Sequence, residues 1–342
     1  MTTVQTVTGP VSPTDLGVVL PHEHLVSDLS GAFSPASEQH IRDLLDGPVS
    51  ADLAWLLKEH PYNSADNCRL DDLQGMADDL SAFRRLGGGT VIDLTPPGLG
   101  RRPEALQQLS LQSDVKIIMG SGWYLEHFQD EATRALTVET LADSLLADFD
   151  RAGIRPGVIG EIGVSPSFSA AEQRALRAAA LVQKEVGVPL FIHAPAWARM
   201  GGRILDLVLD RWGVDPGAVV LCHMDPSYDD ATYQSAIAER GVMLGFDMIG
   251  MPFAFPAEGE SPGPGESADA IARLVRAGFG KQILLSHDLF LKSMLTKHGG
   301  NGFNYVPFAF PSRLHERGIS SEEVTAMLTS NPASLFTNST TQ

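Results

Sequence analysis

The sequence predicts an α/β protein built as a closed (β/α)8 barrel, a TIM barrel, and three observations predict it. Eight short apolar runs recur along the chain, amphipathic segments separate them, and the runs end in polar or Gly/Pro-rich sequence. The runs are continuously apolar rather than alternating, as expected of parallel strands covered on both faces. Eight strands alternating with helices suit a barrel. A doubly wound open sheet is the alternative, but no Gly-rich phosphate loop follows the first run.

In chain order, the first run spans 17–24 and ends in His22-Glu23-His24. Residues 25–76 form a long insertion with a helical piece at 50–60, and a helix is expected over 77–86, stopping at Gly87–Gly89. The runs at 89–97, 115–123 and 157–165 follow, the last containing Glu161. A helix is expected over 169–187, opening on Ser169 and closing on Gly187 as helix ends prefer. Next come the run at 188–196 with His193, a helix at 201–213, the run at 218–226 with His223, and the run at 241–249. A Pro/Gly-rich stretch at 250–267 reads as a lid or binding loop. A helix at 267–280 and a last run at 282–290, carrying Asp288, complete the pattern. Barrels of this kind routinely reach this length as one domain, so residues 1–342 are expected to form a single domain.

Composition excludes several function classes. The chain has 342 residues, 43% hydrophobic and 20% charged, with a formal charge of −17. Phosphate binding needs clustered Lys and Arg, so nucleic acid is not an expected partner, nor is an anionic membrane surface. The opening residues lack a basic segment followed by an apolar one, and no apolar stretch approaches the roughly 20 residues of a membrane span. A soluble cytoplasmic protein acting on a small molecule is expected, with a homodimer left open. The two cysteines, Cys68 and Cys222, are not expected to pair, and Cys222 reads as a small buried thiol.

The chemistry is carried by His22, His24, Glu161, His193, His223 and Asp288. All six fall at the C-terminal ends of their runs, the active-site face of a barrel. A lone histidine at a strand end is more often a hydrogen-bonded rim residue; six ligand-type residues on five strands outweigh that reading. His22 and His24 are two apart, so both imidazoles can face the barrel mouth while Glu23 points away. Imidazoles and carboxylates are the usual ligands of zinc and similar divalent ions. Four histidines and two carboxylates exceed one ion's needs, and two ions about 3.5–4 Å apart would use them all. Zinc is the first expectation, with manganese or cobalt as alternatives. A water shared by two such ions can be hydroxide near pH 7, with Asp288 both a ligand and the acceptor of its proton.

The ordered set TVTGPVSPTDLGVVLPHEHL, GSGWYLEH, GVIGEIG, PLFIHAP, VVLCHMD, ILLSHD and GGNGFNYV resembles the phosphotriesterase-related branch of the amidohydrolase superfamily across essentially the whole chain. The resemblance implies one metal held by His22, His24 and Asp288 and another held by His193 and His223. The bridging position falls at Glu161. In phosphotriesterases and their lactonase relatives the bridge is a carboxylated lysine; this chain has none there, and Lys116 lies at the wrong end of its strand. It follows the glutamate-bridged relatives, which turns the expectation from phosphotriesters toward carbonyl substrates.

Further candidates surround this set. Tyr124 could hydrogen-bond a polarised carbonyl or simply be a rim aromatic, and His287 should face away from Asp288. Arg199, Arg203 and Lys292 could hold a substrate anion, though a surface charge is the plainer reading of each. Trp197, Met248, Met251, Phe253, Phe255 and Phe290 could line an apolar pocket or pack loops. The leading expectation is a binuclear hydrolase acting on a carboxylic ester, lactone or amide through a metal-bridging hydroxide. Phosphoester hydrolysis is the alternative on the same apparatus, and a decarboxylase or isomerase activity stays open. A barrel that only binds a ligand should have lost a metal ligand, and Schiff-base chemistry would need a lysine at a strand's C-terminal end; neither condition is met.

Overall fold

The structure is a computed structural model that describes residues 3–337. Eight parallel strands form one sheet in sequential order: β1 (Val18–Glu23), β2 (Gly88–Asp93), β3 (Lys116–Ser121), β4 (Val158–Gly163), β5 (Leu190–His193), β6 (Val219–Leu221), β7 (Met243–Phe246) and β8 (Ile283–Leu285). The sheet closes on itself where Asp288 N donates to His22 O (3.2 Å) and His24 N to Leu289 O (3.0 Å). This is the expected TIM barrel, and one strand falls on each expected run, β2 starting one residue ahead of its run.

Helices follow the strands: α1 (Leu73–Arg85), α2 (Pro103–Ser113), α3 (Val138–Asp150), α4 (Ala170–Val186), α5 (Gly201–Leu205), α6 (Ala231–Ala238), α7 (Pro264–Arg276) and α8 (Ser321–Leu328). Helix α4 begins on a capping box made by Ser169 and Glu172 and ends on Gly187 at φ 70°, where a residue without a Cβ adopts the left-handed cap freely. Helix α5 continues more loosely through Arg211, covering the expected 201–213 segment. The helical piece in the first insertion is real, as Ala54–Glu59.

Two apolar layers follow from strand alternation. One residue from each strand fills the barrel interior: Val19, Ile92, Ile118, Val158, Phe191, Val220, Met243 and Leu284. Their neighbours, such as Leu20, Val91, Ile159, Leu244 and Leu285, pack against the helices. Each such fully buried side chain contributes roughly 1.5–3 kcal/mol relative to exposure. A hairpin of Val4–Thr6 and Gly9–Val11 lies at the barrel's N-terminal end, with Val4 in the interior cluster and Val7 N bonded to Ile117 O. Cys68 and Cys222 are buried and unpaired with each other.

The pattern that fills the interior would misdirect the site residues if it ran unbroken. Val19 faces in and Leu20 out, so strict alternation would turn His22 outward. Between Leu20 and Glu23, however, β1 advances three residues while β2 advances two, from Val91 to Asp93. Likewise β4 advances from Ile159 to Ile162 while β5 advances from Leu190 to Ile192. Each bulge adds one residue and reverses the facing beyond it. His22, His24 and Glu161 thereby point into the mouth.

Two insertions stand over that mouth. In the first, Ser27–Asp28 pairs with Arg69–Leu70, and Asn67 binds the segment after β8 through Lys292 N (3.1 Å) and Ser293 N (2.8 Å). In the second, Ala254–Phe255 pairs with Gly259–Glu260 in a short hairpin. No described helix is long and apolar enough to cross a membrane.

Candidate metal centre

The six expected ligands converge at the C-terminal end of the barrel. His24 Nε2 is 3.2 Å from Asp288 Oδ1 and 3.4 Å from Glu161 Oε1, while His22 Nε2 is 3.6 Å from both Asp288 Oδ1 and Glu161 Oε2. On the other side of Glu161, Oε2 is 3.1 Å from His193 Nδ1 and 3.6 Å from His223 Nε2, and those two nitrogens are 2.8 Å apart. Two donors each about 2.1 Å from a tetrahedral ion lie about 3.4 Å from one another. Most of the separations are close to that value, and Glu161 stands between the two groups, Oε1 toward His24 and Oε2 within reach of His22, His193 and His223.

In three of the four histidines, His22, His24 and His223, the ring nitrogen that does not face the cluster is fixed from behind. Asp247 Oδ2 is 2.8 Å from His22 Nδ1, and Asp247 Oδ1 is 2.9 Å from His223 Nδ1. A carboxylate can only accept, so both imidazoles carry a proton on Nδ1 and turn Nε2 inward. His22 Nε2 is buried with no hydrogen-bond partner, as a metal-ligating atom would be in the metal-free protein. His24 Nδ1 pairs with Thr95 Oγ1 at 2.9 Å, and Asp93 holds Thr95 N (3.1 Å) and Leu25 N (2.7 Å). The donor set fits divalent ions.

Two of the candidate ligands occupy the left-handed region of backbone space: His223 at φ 61° and Asp288 at φ 53°. Such a residue costs about 1–3 kcal/mol unless its surroundings impose it. For His223, the backbone N donates to Asp247 Oδ1 at 2.9 Å. For Asp288 the constraint is Glu23, which faces away from the cluster as expected. Its Oε1 accepts from Ser286 Oγ, His287 N and His287 Nδ1, and its Oε2 from Leu289 N, all at 2.8–2.9 Å. His287 is a strut, accepting from Val306 N at 3.0 Å through its other nitrogen.

Electrostatics reinforce the reading. Burial opposes protonation of His22, His24 and His223. The surrounding carboxylates outweigh it, holding His22 and His223 well above the usual histidine value and bringing His24 to about 9. Burial would raise Glu161 and Asp247, yet the imidazoles hold both carboxyls low. Without ions this cluster stores protons, and a metal must displace them.

A cavity of about 390 Å³ opens above the ligands. Tyr124 lines it, its ring edge-on to His193 with centroids 4.8 Å apart. Burial pushes the Tyr124 hydroxyl well above its ordinary value, so it is a donor at neutral pH. Trp197, Met248, Met251, Phe255 and Phe290 line the cavity as well. Phe253 does not; it faces a neighbouring cavity of about 490 Å³ behind Met251.

The basic candidates are placed elsewhere. Arg199 is absent from the cavity wall, because Asp229 (2.9 Å), Pro226 O (2.8 Å) and the Tyr233 ring hold its guanidinium. Arg203 lies over the Phe168 ring, and Lys292 is clamped by Asp66 (2.5 Å) and Asp71 (2.9 Å). These three are structural cations. Asp247, by contrast, is missing from the sequence reading although it stands at the C-terminal end of the seventh run, the same signal that marks the ligands.

The sequence model of the family described as "Phosphotriesterase family" matches residues 2–336. The chain belongs to that family. An N-acetyltaurine hydrolase from Salmo salar is 34% identical over 340 residues, covering 96% of this chain and 96% of that protein. A resiniferatoxin-binding protein from Rhodobacter sphaeroides superposes with a TM-score of 0.95 at 38% identity, covering 98% of this chain and 94% of that one. A mutant phosphotriesterase-like lactonase from Deinococcus radiodurans gives 0.77 at 27% identity, covering 97% and 99%. The family is one of metal-dependent hydrolases, and this chain is an enzyme of that kind.

Proposed function

We propose that the protein is a binuclear metal-dependent hydrolase of carboxylic amides, esters or lactones, with amides first. The observation that carries the reading is Glu161, which stands between two sets of donors, Oε1 toward His24 and Oε2 within 3.6 Å of His22, His193 and His223. His22, His24 and Asp288 would hold one ion, His193 and His223 the other, and Glu161 both; zinc is favoured by the donor types, and manganese or cobalt would also be accepted. When bound, such ions polarise a carbonyl and make water nucleophilic near neutral pH. The amide preference takes its support from relatives named N-acetyltaurine hydrolases.

The chain's own residues do the rest. Asp288 turns Oδ1 toward His22 and His24, which leaves Oδ2 to take a proton from the attacking water and return it to the leaving nitrogen or oxygen. Tyr124, protonated and beside His193, is placed to donate to the carbonyl oxygen as charge develops there. The aromatic and methionine wall excludes water and orients the substrate. The test is kcat/KM for a lactone, an N-acyl amino acid and an aryl dialkyl phosphate on one zinc- or manganese-loaded preparation. A carbonyl substrate is expected to lead; a preference above tenfold for the phosphate overturns the assignment.

A further inference from the structure

The outer wall of the cavity carries its own electrostatic signature. Apart from the ligands, Glu258 is the one formal charge lining it among the described residues, and no lysine or arginine does so. His127 also lines it, but burial lowers its pKa, so it is neutral near pH 7. Four rings form the surrounding surface. Tyr62 and Phe255 have centroids 5.8 Å apart, Trp197 and Phe255 5.6 Å, and Phe255 and Phe290 6.5 Å in a stacked arrangement.

Glu258 is placed there by backbone contact. The hairpin of Ala254–Phe255 and Gly259–Glu260 lies on Trp197 so closely that a Cβ on Gly259 would collide with the indole Nε1. Glycine at 259 therefore lets residue 258 reach the cavity beside these rings. Aromatic faces attract cations, most strongly where water is partly excluded, and a carboxylate beside them adds to the attraction. The same surface repels a sulfonate or carboxylate.

From this wall we infer that the cavity recognises a cationic ammonium group on the part of the substrate remote from the scissile carbonyl. Tyr62, Trp197, Phe255 and Phe290 supply the box and Glu258 the counter-charge. The inference rests on the amide hydrolase reading for its substrate but not for its binding chemistry. It separates this chain from an enzyme built for an anionic N-acyl amine.

The test uses three acetamides of similar shape: the 2-(trimethylammonio)ethyl, the 3,3-dimethylbutyl and the 2-sulfoethyl. On the metal-loaded protein, kcat/KM should favour the cation by about tenfold over the neutral compound and by roughly a hundredfold over the sulfonate. Butyltrimethylammonium and butanesulfonate, titrated calorimetrically, should rank the same way without any hydrolysis. Glu258 is exposed, so its variants should fold. Glu258→Gln should shrink the cation-to-sulfonate ratio about tenfold, and Glu258→Lys should reverse it. If the sulfonate is bound or cleaved as well as the cation, or both variants keep the ratio, the inference fails. If the calorimetric ranking holds while no acetamide is cleaved, the inference stands and the amide hydrolase reading fails.

Discussion

The floor and the wall of one cavity are built on different principles. On the floor, the six ligand-type residues stand near or just beyond the C-terminal ends of strands, and five of the six are buried, His193 being half-buried. Asp247, Thr95, Asp93 and Glu23 brace them through buried hydrogen bonds. On the wall, Trp197, Phe255, Glu258 and Phe290 come from loops and make ring and surface contacts with one another. The floor tolerates one geometry, whereas the wall offers shape and charge that can change residue by residue. Reaction class is accordingly written in the barrel and substrate choice in the loops.

The sharpest way to break the floor is Asp247→Ala. It removes the acceptor from two buried imidazoles and the bond that fixes His223 in its unusual backbone region. Loss of one partner from such a buried network costs about 3–5 kcal/mol, and displaced ligands should lower kcat/KM by about a thousandfold. Thermal unfolding and elemental analysis of the purified variant would show both effects. An active variant of normal stability and metal content would refute this role.

A pH experiment separates the occupied floor from the empty one. His24 rises to about 9 in the folded, metal-free protein, against about 6.5 unfolded. The stability this contributes is fully present below pH 6.5 and is lost as pH rises through about 9. Glu161 shifts the other way, so its contribution is present above the ordinary glutamate range and is lost as pH falls through its depressed value. Metal binding must displace the imidazole protons, so metal affinity should rise by about tenfold per pH unit of increase for each proton displaced. Chelated protein should thus lose stability between pH 6.5 and 9 while loaded protein gains it. Calorimetry in two buffers of different ionisation enthalpy would count the protons, and metal binding without proton release would contradict the assignment.

Glu23→Gln tests the brace behind Asp288. The amide keeps the shape but replaces an acceptor oxygen with a donor among four donors. Activity should fall about ten- to a hundredfold, as for partners behind metal ligands, chiefly in kcat. A change confined to KM would place Glu23 outside the catalytic geometry.

The smallest effects belong to the wall. Each methylene removed from an acyl chain packed against Met248 and Met251 should lower kcat/KM about fourfold, equivalent to roughly 0.8 kcal/mol. Met248→Ala should weaken that dependence while leaving metal content unchanged. A flat response to chain length would show that the acyl part does not bind there.

These differences also explain what could be read in advance. The strands were legible because each is an uninterrupted apolar run, and five ended in residues with strong metal preference. Asp247 stood at a strand end like the ligands, but its role, bracing two histidines 225 and 24 positions away, has no sequence pattern of its own. The bulges in β1 and β4 were invisible, since an extra residue shows only against its neighbour's register. Arg199 stayed a candidate substrate contact beside the plainer surface-charge reading because Asp229 and Pro226, its actual partners, belong to the next strand's loop.

The claim on which the rest depends is that Glu161 joins two metal ions. Elemental analysis should be run on protein purified without chelator, beside Glu161→Gln prepared identically, with hydrolysis of an N-acyl substrate measured on both. About two ions per chain are expected in the native protein, and about one in the variant with most activity lost, independent of added bicarbonate. Two ions retained by Glu161→Gln, or full activity in metal-free native protein, would contradict it.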